Sequence, residues 1–279
     1  MSYSFQTNVT SLIAQENLRV TSDFQSRTIT RLTSGYRINS SGDDAAGLAV
    51  ANKFRSDVAE LNQGVRNAND GVSTLQIVDG GLNNISQILD SLKGLATQSA
   101  SDTFTGDRTT LNTEFQTLLG EIDRQAANVG LASGGGTGGR FNAAISVYIG
   151  GGDTQANAQV QIDLSGATNE VDSNGLGISA NTVDTKTNAL AAITNLEAAV
   201  ASLGKTQGVV GDGENALQFA ISLAQSQVTN YSAADSRIRD ADVAAEAANL
   251  TKAQVLQQSS VAALSQANSA PQALLKLFQ

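Results

Sequence analysis

Apolar residues recur at alternating steps of three and four along much of the first hundred residues. From Phe54 they follow this spacing up to Leu75 and, after one interruption, on to Leu92. Such spacing places the apolar side chains on one stripe of an α-helix and is typical of a coiled-coil seam. We predict one long helix from about Asp44 to about Ala100. The seam residues of its first half are Val58, Leu61, Val65, Val72 and Leu75.

A second seam of the same kind runs along the C-terminal part of the chain. From Ile193 to Tyr231 the seam positions alternate steps of three and four without a break, with polar Gln207 and Glu214 among them. The glycines within 208–213 lower helix propensity by roughly 1 kcal/mol each, but the heptad phase continues across them. We therefore predict one continuous helix. Its apolar seam residues include Leu196, Val200, Leu203, Val210, Leu217, Ile221 and Val228.

A shorter helical pattern lies between the two long ones. Six apolar residues follow Asp107 at steps of three and four, which predicts a helix of about 22 residues. They are Leu111, Phe115, Leu118, Ile122, Ala126 and Val129.

Residues 131–185 have a different character. A Gly-rich stretch at 134–139 predicts a flexible linker, and two short runs of alternating apolar and polar residues follow it. These runs, Ile145–Ile149 and Val160–Leu164, have the period of a β-strand, and the glycines from Gly150 onward are a turn signal. We predict a β-hairpin here.

Both ends of the chain repeat the helical spacing in a form diluted by polar residues and Ala. Short amphipathic helices of this kind obtain most of their stability from packing partners, so the terminal helices need one another or neighbouring subunits. The predicted fold is mainly α: a long antiparallel coiled-coil helical bundle, a small β-hairpin region inserted in the middle, and terminal helices that pair as a coiled coil.

Composition excludes several classes of function. The chain has no Cys and no His, so thiolate nucleophiles, Ser-His-Asp catalysis and the usual zinc ligands are absent. A net charge of −9 disfavours nucleic-acid binding. We expect no secretory signal, because the first 30 residues lack a basic leader with an apolar run, and no membrane insertion, because no long apolar run occurs. No cofactor is expected.

Two acidic pairs are the remaining candidates for chemistry. Asp43 with Asp44, and Asp240 with Asp242, could serve as general acid and base or bind a hard metal ion. Both pairs stand at predicted helix starts, where carboxylates cap free backbone amides. A helix-capping or salt-linked role is therefore the preferred interpretation, and an acid-base hydrolase is disfavoured.

Seven motifs, in order, resemble the bacterial flagellin family. They are SLIAQENL at 11–18, RLTSGYRIN at 31–39, DDAAGLA at 43–49, NANDG at 67–71, EIDR at 121–124, SRIRDAD at 236–242 and QANSAPQ at 266–272. The resemblance implies a structural subunit, not an enzyme, that self-assembles helically into the extracellular flagellar filament for motility. It also implies export by the flagellar type III apparatus and, as partners, copies of itself, an export chaperone, the filament cap and hook-junction proteins.

The resemblance also divides the chain into segments. It implies an N-terminal inner-tube helix and connector at 1–40 and the N-terminal half of the helical core at 41–130. A short variable segment follows at 131–185, then the C-terminal helix of the core at 186–235 and the C-terminal inner-tube helix at 236–279.

Individual residues are carried over from the same resemblance. In family members sensed by the vertebrate flagellin receptor, a basic residue and a Leu act together with a Glu. In this chain Leu95 matches the Leu and Glu114 matches the Glu, whereas Ser91 stands in place of the basic residue. The residues expected to pack in the inner tube are Leu12, Ile13, Leu18, Leu32, Val243, Leu250, Val261, Leu264 and Leu274.

Two alternatives remain open. A hook-filament junction protein has a similar start but usually carries Pro after the paired Asp, whereas Ala45 follows here. A secreted binding module would use the predicted hairpin to recognise a ligand, so deleting the hairpin would abolish ligand binding and leave assembly intact.

Overall fold

The computed structural model describes residues 7–133, 141, 144–151, 157–166 and 169–275, with side chains described up to residue 269. Within these ranges the chain forms five helices and a two-stranded antiparallel sheet, which confirms the predicted helical bundle with a small hairpin. The elements in chain order are α1 (Val9–Ser34), α2 (Ala45–Ala100), α3 (Arg108–Val129), β1 (Ile145–Tyr148), β2 (Gln159–Ile162), α4 (Lys186–Arg239) and α5 (Val243–Leu275).

The chain divides into two compact units. The first unit consists of Met1–Ser56 and Asn230–Gln279, and the second of Asp57–Thr229. Helices α2 and α4 contribute residues to both units. The predicted terminal segments, 1–40 and 236–279, fall entirely within the first unit.

Helix α2 begins at an acidic cap. Asp44 Oδ1 accepts a hydrogen bond from the Gly47 N–H at 2.9 Å, which satisfies one of the free amides at the helix start. The helix continues to Ala100, so its bounds lie within one residue of the predicted ones. In the second unit one stripe of α2 is fully buried at steps of three, four or seven. Its members are Leu61, Ala68, Leu75, Val78, Leu82, Ile85, Leu89, Leu92 and Ala96.

Helix α4 is continuous across its glycines but buries a partly different stripe from the predicted one. Ala199, Thr206 and Gly213 are buried, and each stands one residue before a predicted seam position. Val200, predicted in the seam, is instead 39% exposed. Small side chains let neighbouring elements approach closely, whereas the spacing argument gave preference to the larger residue beside each of them.

Helix α3 is capped by Asp107, whose Oδ1 accepts from the Thr109 N–H at 2.8 Å. It packs closely on α2 at Gly81, where a Cβ atom would lie 2.1 Å from Val129 Cγ1. Leu118, predicted in the apolar stripe of α3, is only half-buried, and Leu119 is buried in its place. The buried residues are Leu111, Phe115, Leu119, Ile122, Ala126 and Val129.

The hairpin lies against both long helices of the second unit. Its strands pair with Ile145 opposite Ile162. On α2, Gly64 gives it room, because a Cβ atom there would lie 1.7 Å from the Ile149 carbonyl oxygen. On α4, Gly213 faces Ile162 in the same way, with a 3.0 Å approach. Glycine on each long helix therefore makes the space that the hairpin occupies.

The segment between β2 and α4 is packed against the bundle. Ser99 Oγ donates a hydrogen bond to the Val183 carbonyl at 2.5 Å, and the Asp172 carboxylate accepts from the Ser133 hydroxyl. The predicted linker at 134–139 lies outside the described residues. Buried apolar side chains of the packed segment are Val171, Leu176, Ile178 and Val183.

Candidate assembly interface

Helices α1 and α5 pack against each other, and the pairing is antiparallel. Near the start of α1, Ser11 Oγ donates a hydrogen bond to Asn268 Oδ1, late in α5, at 2.8 Å. Near the end of α1, Arg31 Nη1 lies 3.4 Å from Glu246 Oε1, in the first turn of α5. Polar pairs at both ends of the two helices therefore fix their register.

The buried residues of the two terminal helices are small or polar. On α1 they are Ser11, Ala14 and Thr28, and on the described part of α5 they are Glu246 and Ala253. A fully buried Val, Leu or Ile side chain contributes about 1.5–3 kcal/mol to stability. Because no such side chain is fully buried among the described residues of this pair, its own contact supplies less stability than a packed apolar seam would.

The large apolar side chains of the same helices are exposed to solvent. On α1, Val9, Ile13, Val20 and Phe24 follow steps of four and seven, which places them on one stripe. An exposed apolar surface of this extent is typical of an interaction site. The exposed large apolar residues are Val9, Leu12, Ile13, Val20, Phe24 and Ile29 on α1, and Val243, Val255, Leu256 and Val261 on α5.

The residues predicted to pack in an inner tube divide into two groups. More than half of the surface is exposed for Leu12, Ile13, Val243 and Val261. The half-buried residues are Leu18, Leu32, Leu250 and Leu264. Leu274 lies in the last turn of α5, beyond the side chains that the structure describes.

Charged side chains in the middle of α1 pair with one another. Arg19 lies 2.7 Å from Glu16 and 3.1 Å from Asp23, both on the same helix. The hydrogen bond from Arg19 lowers the pKa of Glu16 below its ordinary value. This self-pairing leaves a net charge of −1 on residues 16–23, so a second copy meets less repulsion there than two unpaired carboxylates would cause.

The chain segments that follow α1 and α4 pair with each other. Gly35, at a φ of 75°, ends α1, and its carbonyl accepts from the Ala241 N–H at 2.9 Å. The Arg37 N–H donates to the Arg239 carbonyl at 2.5 Å, and the Arg239 guanidinium lies 4.2 Å from the Tyr36 ring centroid. A left-handed φ is free of steric cost only for Gly, which explains this residue at the turn. The two connectors of the first unit are therefore tied together.

Asp43 organises the connector that leads into α2. Its carboxylate accepts hydrogen bonds from the Ser40 N–H, the Ser40 hydroxyl and the Asn39 N–H. These bonds, with Arg31 at 4.0 Å, lower the pKa of Asp43 below its ordinary value. Arg31 also lies beside Glu246, so a single guanidinium links the connector to α5.

One carboxylate of each acidic pair serves as a helix cap, in line with the preferred interpretation. Asp44 caps α2, and Asp242 Oδ1 accepts from the Ala244 N–H at 2.9 Å at the start of α5. Asp240 accepts instead from the Ser236 hydroxyl. These carboxylates are thus occupied by hydrogen bonds that shape the backbone.

Neither a metal site nor a membrane span is found in the described part of the chain. No cluster of three or more acidic side chains there could hold a metal ion. Among the helices within the described ranges, none is both long and apolar enough to cross a membrane.

The predicted seam of the second unit is buried to different degrees. The buried residues are Leu61, Leu75, Leu196, Leu203, Val210 and Leu217. The half-buried residues are Val58, Val65, Val72, Ile221 and Val228. Val58, Val65 and Val72 all belong to the part of α2 before Leu75.

The two residues of the predicted receptor-type patch lie on neighbouring helices. Because α2 and α3 run antiparallel with Gly81 beside Val129, Leu95 and Glu114 stand at about the same level of the pair. Leu95 is half-buried, whereas Glu114 and Ser91 are exposed.

Sequence reasoning did not identify the polar contacts between α1 and α5. Ser11, Arg31 and Glu246 carry no spacing signal of their own. Asn268 stands at a seam position of the C-terminal helix, where a polar residue often specifies register. That position is the one signal from which a register contact could be inferred.

Family models match both halves of the chain. The model described as the bacterial flagellin N-terminal helical region matches residues 5–130. The model described as the bacterial flagellin C-terminal helical region matches residues 190–278. The matched regions include α1, α2 and α3 in the first case and most of α4 with α5 in the second.

Similar proteins match over nearly the whole chain. A flagellin of Halalkalibacterium halodurans is 33% identical over 281 residues, and the flagellin FlaB1 of Treponema pallidum is 32% identical over 281 residues. A flagellin of Listeria monocytogenes is 34% identical over 286 residues. In each case 98% of this chain and 98% of the relative are covered.

Proposed function

Because the chain belongs to the bacterial flagellin family, we propose that it assembles helically with copies of itself through the exposed apolar faces of α1 and α5. The family consists of structural proteins of the extracellular flagellar filament. The chain is accordingly a filament subunit that serves motility and not an enzyme.

The contrast between the buried and the exposed residues of the terminal helices supports this proposal. Within the described residues, α1 and α5 bury small and polar side chains against each other and leave large apolar ones in water. Each Val, Leu or Ile that moves from water into a contact with a second copy contributes about 1.5–3 kcal/mol. A contact that joins different surfaces of identical chains generates a helical polymer when its rotation does not close into a ring.

The sequence segments suggest where each part lies in the filament. We place 1–40 and 236–279 in an inner tube, 41–130 and 186–235 in the layer around it, and 131–185 facing outward. Charge supports this order: the first 40 residues carry four Arg and two acidic residues, whereas most of the 26 acidic residues lie between the terminal segments. Charged surface is favoured where it meets water.

Delivery of the subunit is the second part of the proposal. Export occurs through the flagellar type III apparatus, with an export chaperone, and assembly occurs at the growing tip with the cap and hook-junction proteins as partners. The chain has no Cys and a single Pro, so unfolding and refolding do not wait for disulfide exchange and involve only one X–Pro bond.

Removal of residues 237–279 tests the role of the terminal helices. This deletion removes α5 and the connector that pairs with Gly35, and it leaves the second unit intact. We expect a soluble protein with the circular dichroism of a helical bundle that forms no filaments when salted out. The full-length chain at the same concentration is the control. Long filaments from the shortened chain would show that the inner-tube assignment is wrong.

A further inference from the structure

An uncharged run of α4 with exposed apolar side chains lies outside the terminal helices. Residues 215–234 contain no charged side chain, although the chain has 26 acidic and 17 basic residues. Within this run Phe219 is 77% exposed, the highest value among the large apolar residues described, and Leu223, one turn later, is 61% exposed. Both residues belong to the second unit.

The fold of the single chain does not use these two side chains. Leu217 is fully buried, and Phe219 stands two residues further, about 200° around the helix and so on its outer side. Leu223 borders a shallow cavity of about 90 Å³ between α4 and the hairpin, which Val160 and Gln227 also line. The outer side of α4 therefore presents an aromatic ring and a Leu beside a depression.

We propose that the Phe219–Leu223 face packs against a second copy of this chain in the assembled filament. The inference rests on the proposed self-assembly and adds a contact made by the second unit. Copies of a chain with a net charge of −9 repel one another, so a contact between them is favoured where a surface carries no charge. A repeating polymer buries the same face of every copy, and a solvent-exposed Phe gains most from such burial.

The contact needs a different surface on the second copy, because a helical polymer joins unlike faces. Ile77 on α2 supplies it: its side chain is 69% exposed, second only to Phe219 among those described. The residues one turn away on either side, Ser73, Thr74 and Gly80, carry no charge. The two apolar positions stand on different helices of the second unit, so the contact would join two different surface positions.

Replacement of the apolar side chains tests the contact. The double variant Phe219→Gln and Leu223→Gln is expected to raise the critical concentration for polymerisation about tenfold or more, measured by sedimentation of filaments. The same melting temperature for the monomers of variant and parent would show that the fold is unchanged. The matched control is Leu190→Gln, which removes a 51% exposed Leu from the same helix outside the uncharged run and is expected to leave the critical concentration unchanged.

A thiol probe tests burial without weakening the filament. Because the chain has no Cys, Phe219→Cys and Ile77→Cys each introduce a single thiol. Trace amounts of either variant are copolymerised with an excess of unmodified chain. The introduced thiol is expected to react with a maleimide at least about tenfold more slowly in filaments than in monomers. Ser146→Cys, on the exposed side of β1, is the reference thiol.

The outcomes separate this inference from the proposed function. Suppose that the parent chain forms filaments and the double variant has the same critical concentration. That result would overturn the Phe219–Leu223 contact alone. Equal maleimide rates for Phe219→Cys in monomers and in filaments would do the same. Equal maleimide rates for Ile77→Cys in monomers and in filaments would overturn the assignment of Ile77 as the surface that contacts Phe219. If the parent chain forms no filaments at all, self-assembly fails and this inference fails with it.

Discussion

Arg31 Nη1 on α1 lies 3.4 Å from Glu246 Oε1 on α5 and so supplies the positive charge beside a buried carboxylate. The second oxygen, Glu246 Oε2, is buried and has no hydrogen-bond partner among the described residues. Removal of Arg31 would therefore leave an uncompensated charge inside the terminal helix pair. Such a charge is costly in surroundings that water does not reach.

The first prediction follows from this pair. Arg31→Ala is expected to destabilise the first unit by about 1–3 kcal/mol, measured by native-state hydrogen exchange of α1 and α5 amides in the monomer. Adding Glu246→Gln to Arg31→Ala is expected to recover part of the loss, because it removes the unpaired charge. Arg19→Ala, on the same helix but exposed, is the control and is expected to have no measurable effect. Equal exchange in all three variants would contradict the role of Arg31.

The connector before α2 is expected to loosen in acid. Hydrogen bonds from Ser40 and Asn39 hold the pKa of Asp43 below its ordinary value of 3.8. The ionised form therefore favours the folded connector above that value, and its contribution is lost as the pH falls through the lower, folded-state pKa. The amide chemical shifts of Asn39 and Ser40, followed by NMR during acidification, should report this transition. In Asp43→Asn the transition should be absent; its persistence would assign it to another group.

Hairpin docking is expected to depend on Gly64. A Cβ atom there would meet the Ile149 carbonyl oxygen at 1.7 Å, so Gly64→Ala must displace the hairpin and is expected to cost about 1–3 kcal/mol in urea unfolding. Gly80→Ala, in the same helix with no atom within 4 Å of the new methyl, is the matched control. It is expected to stabilise the chain by about 0.5–1 kcal/mol through helix propensity. Similar effects for both variants would contradict the close approach at Gly64.

Assembly is expected to be more sensitive than folding to changes on the exposed face of α1. Leu12→Gln removes a side chain that is 54% exposed in the single chain, so the melting temperature of the monomer should hardly change. Filament formation should be lost or require about tenfold more protein, because the proposed contact buries this Leu only between copies. Leu190→Gln removes a similarly exposed Leu from the second unit and serves as the control. Equal polymerisation of Leu12→Gln and parent would remove Leu12 from the interface.

Much of the fold could be predicted from local signals in the sequence. The bounds of α2 follow from its heptad spacing and from Asp44, because spacing and capping are properties of neighbouring residues. The buried stripe of α4 was harder to predict from the sequence. Ala199 and Gly213 are buried because they are small, whereas the spacing argument gives weight to large side chains. Gly64 likewise gave no signal, because its function depends on a hairpin about 80 residues away in sequence.

The candidate site was predictable in its residue types and not in its contacts. Exposed Leu12 and Val261 follow from the weak terminal seams, which leave apolar side chains without partners in one chain. The register between α1 and α5 depends on the Ser11–Asn268 hydrogen bond, which joins residues at opposite ends of the sequence. Which polar residues meet is decided by the antiparallel pairing, and heptad spacing alone does not determine that pairing.

Electron microscopy of the salted-out full-length protein tests the central claim most directly. Ammonium sulfate strengthens apolar association, so the exposed faces of α1 and α5 should be driven together. We predict long, uniform tubes in negative stain. Monomers that persist under the same conditions, even with preformed filament seeds present, would contradict helical self-assembly of this chain.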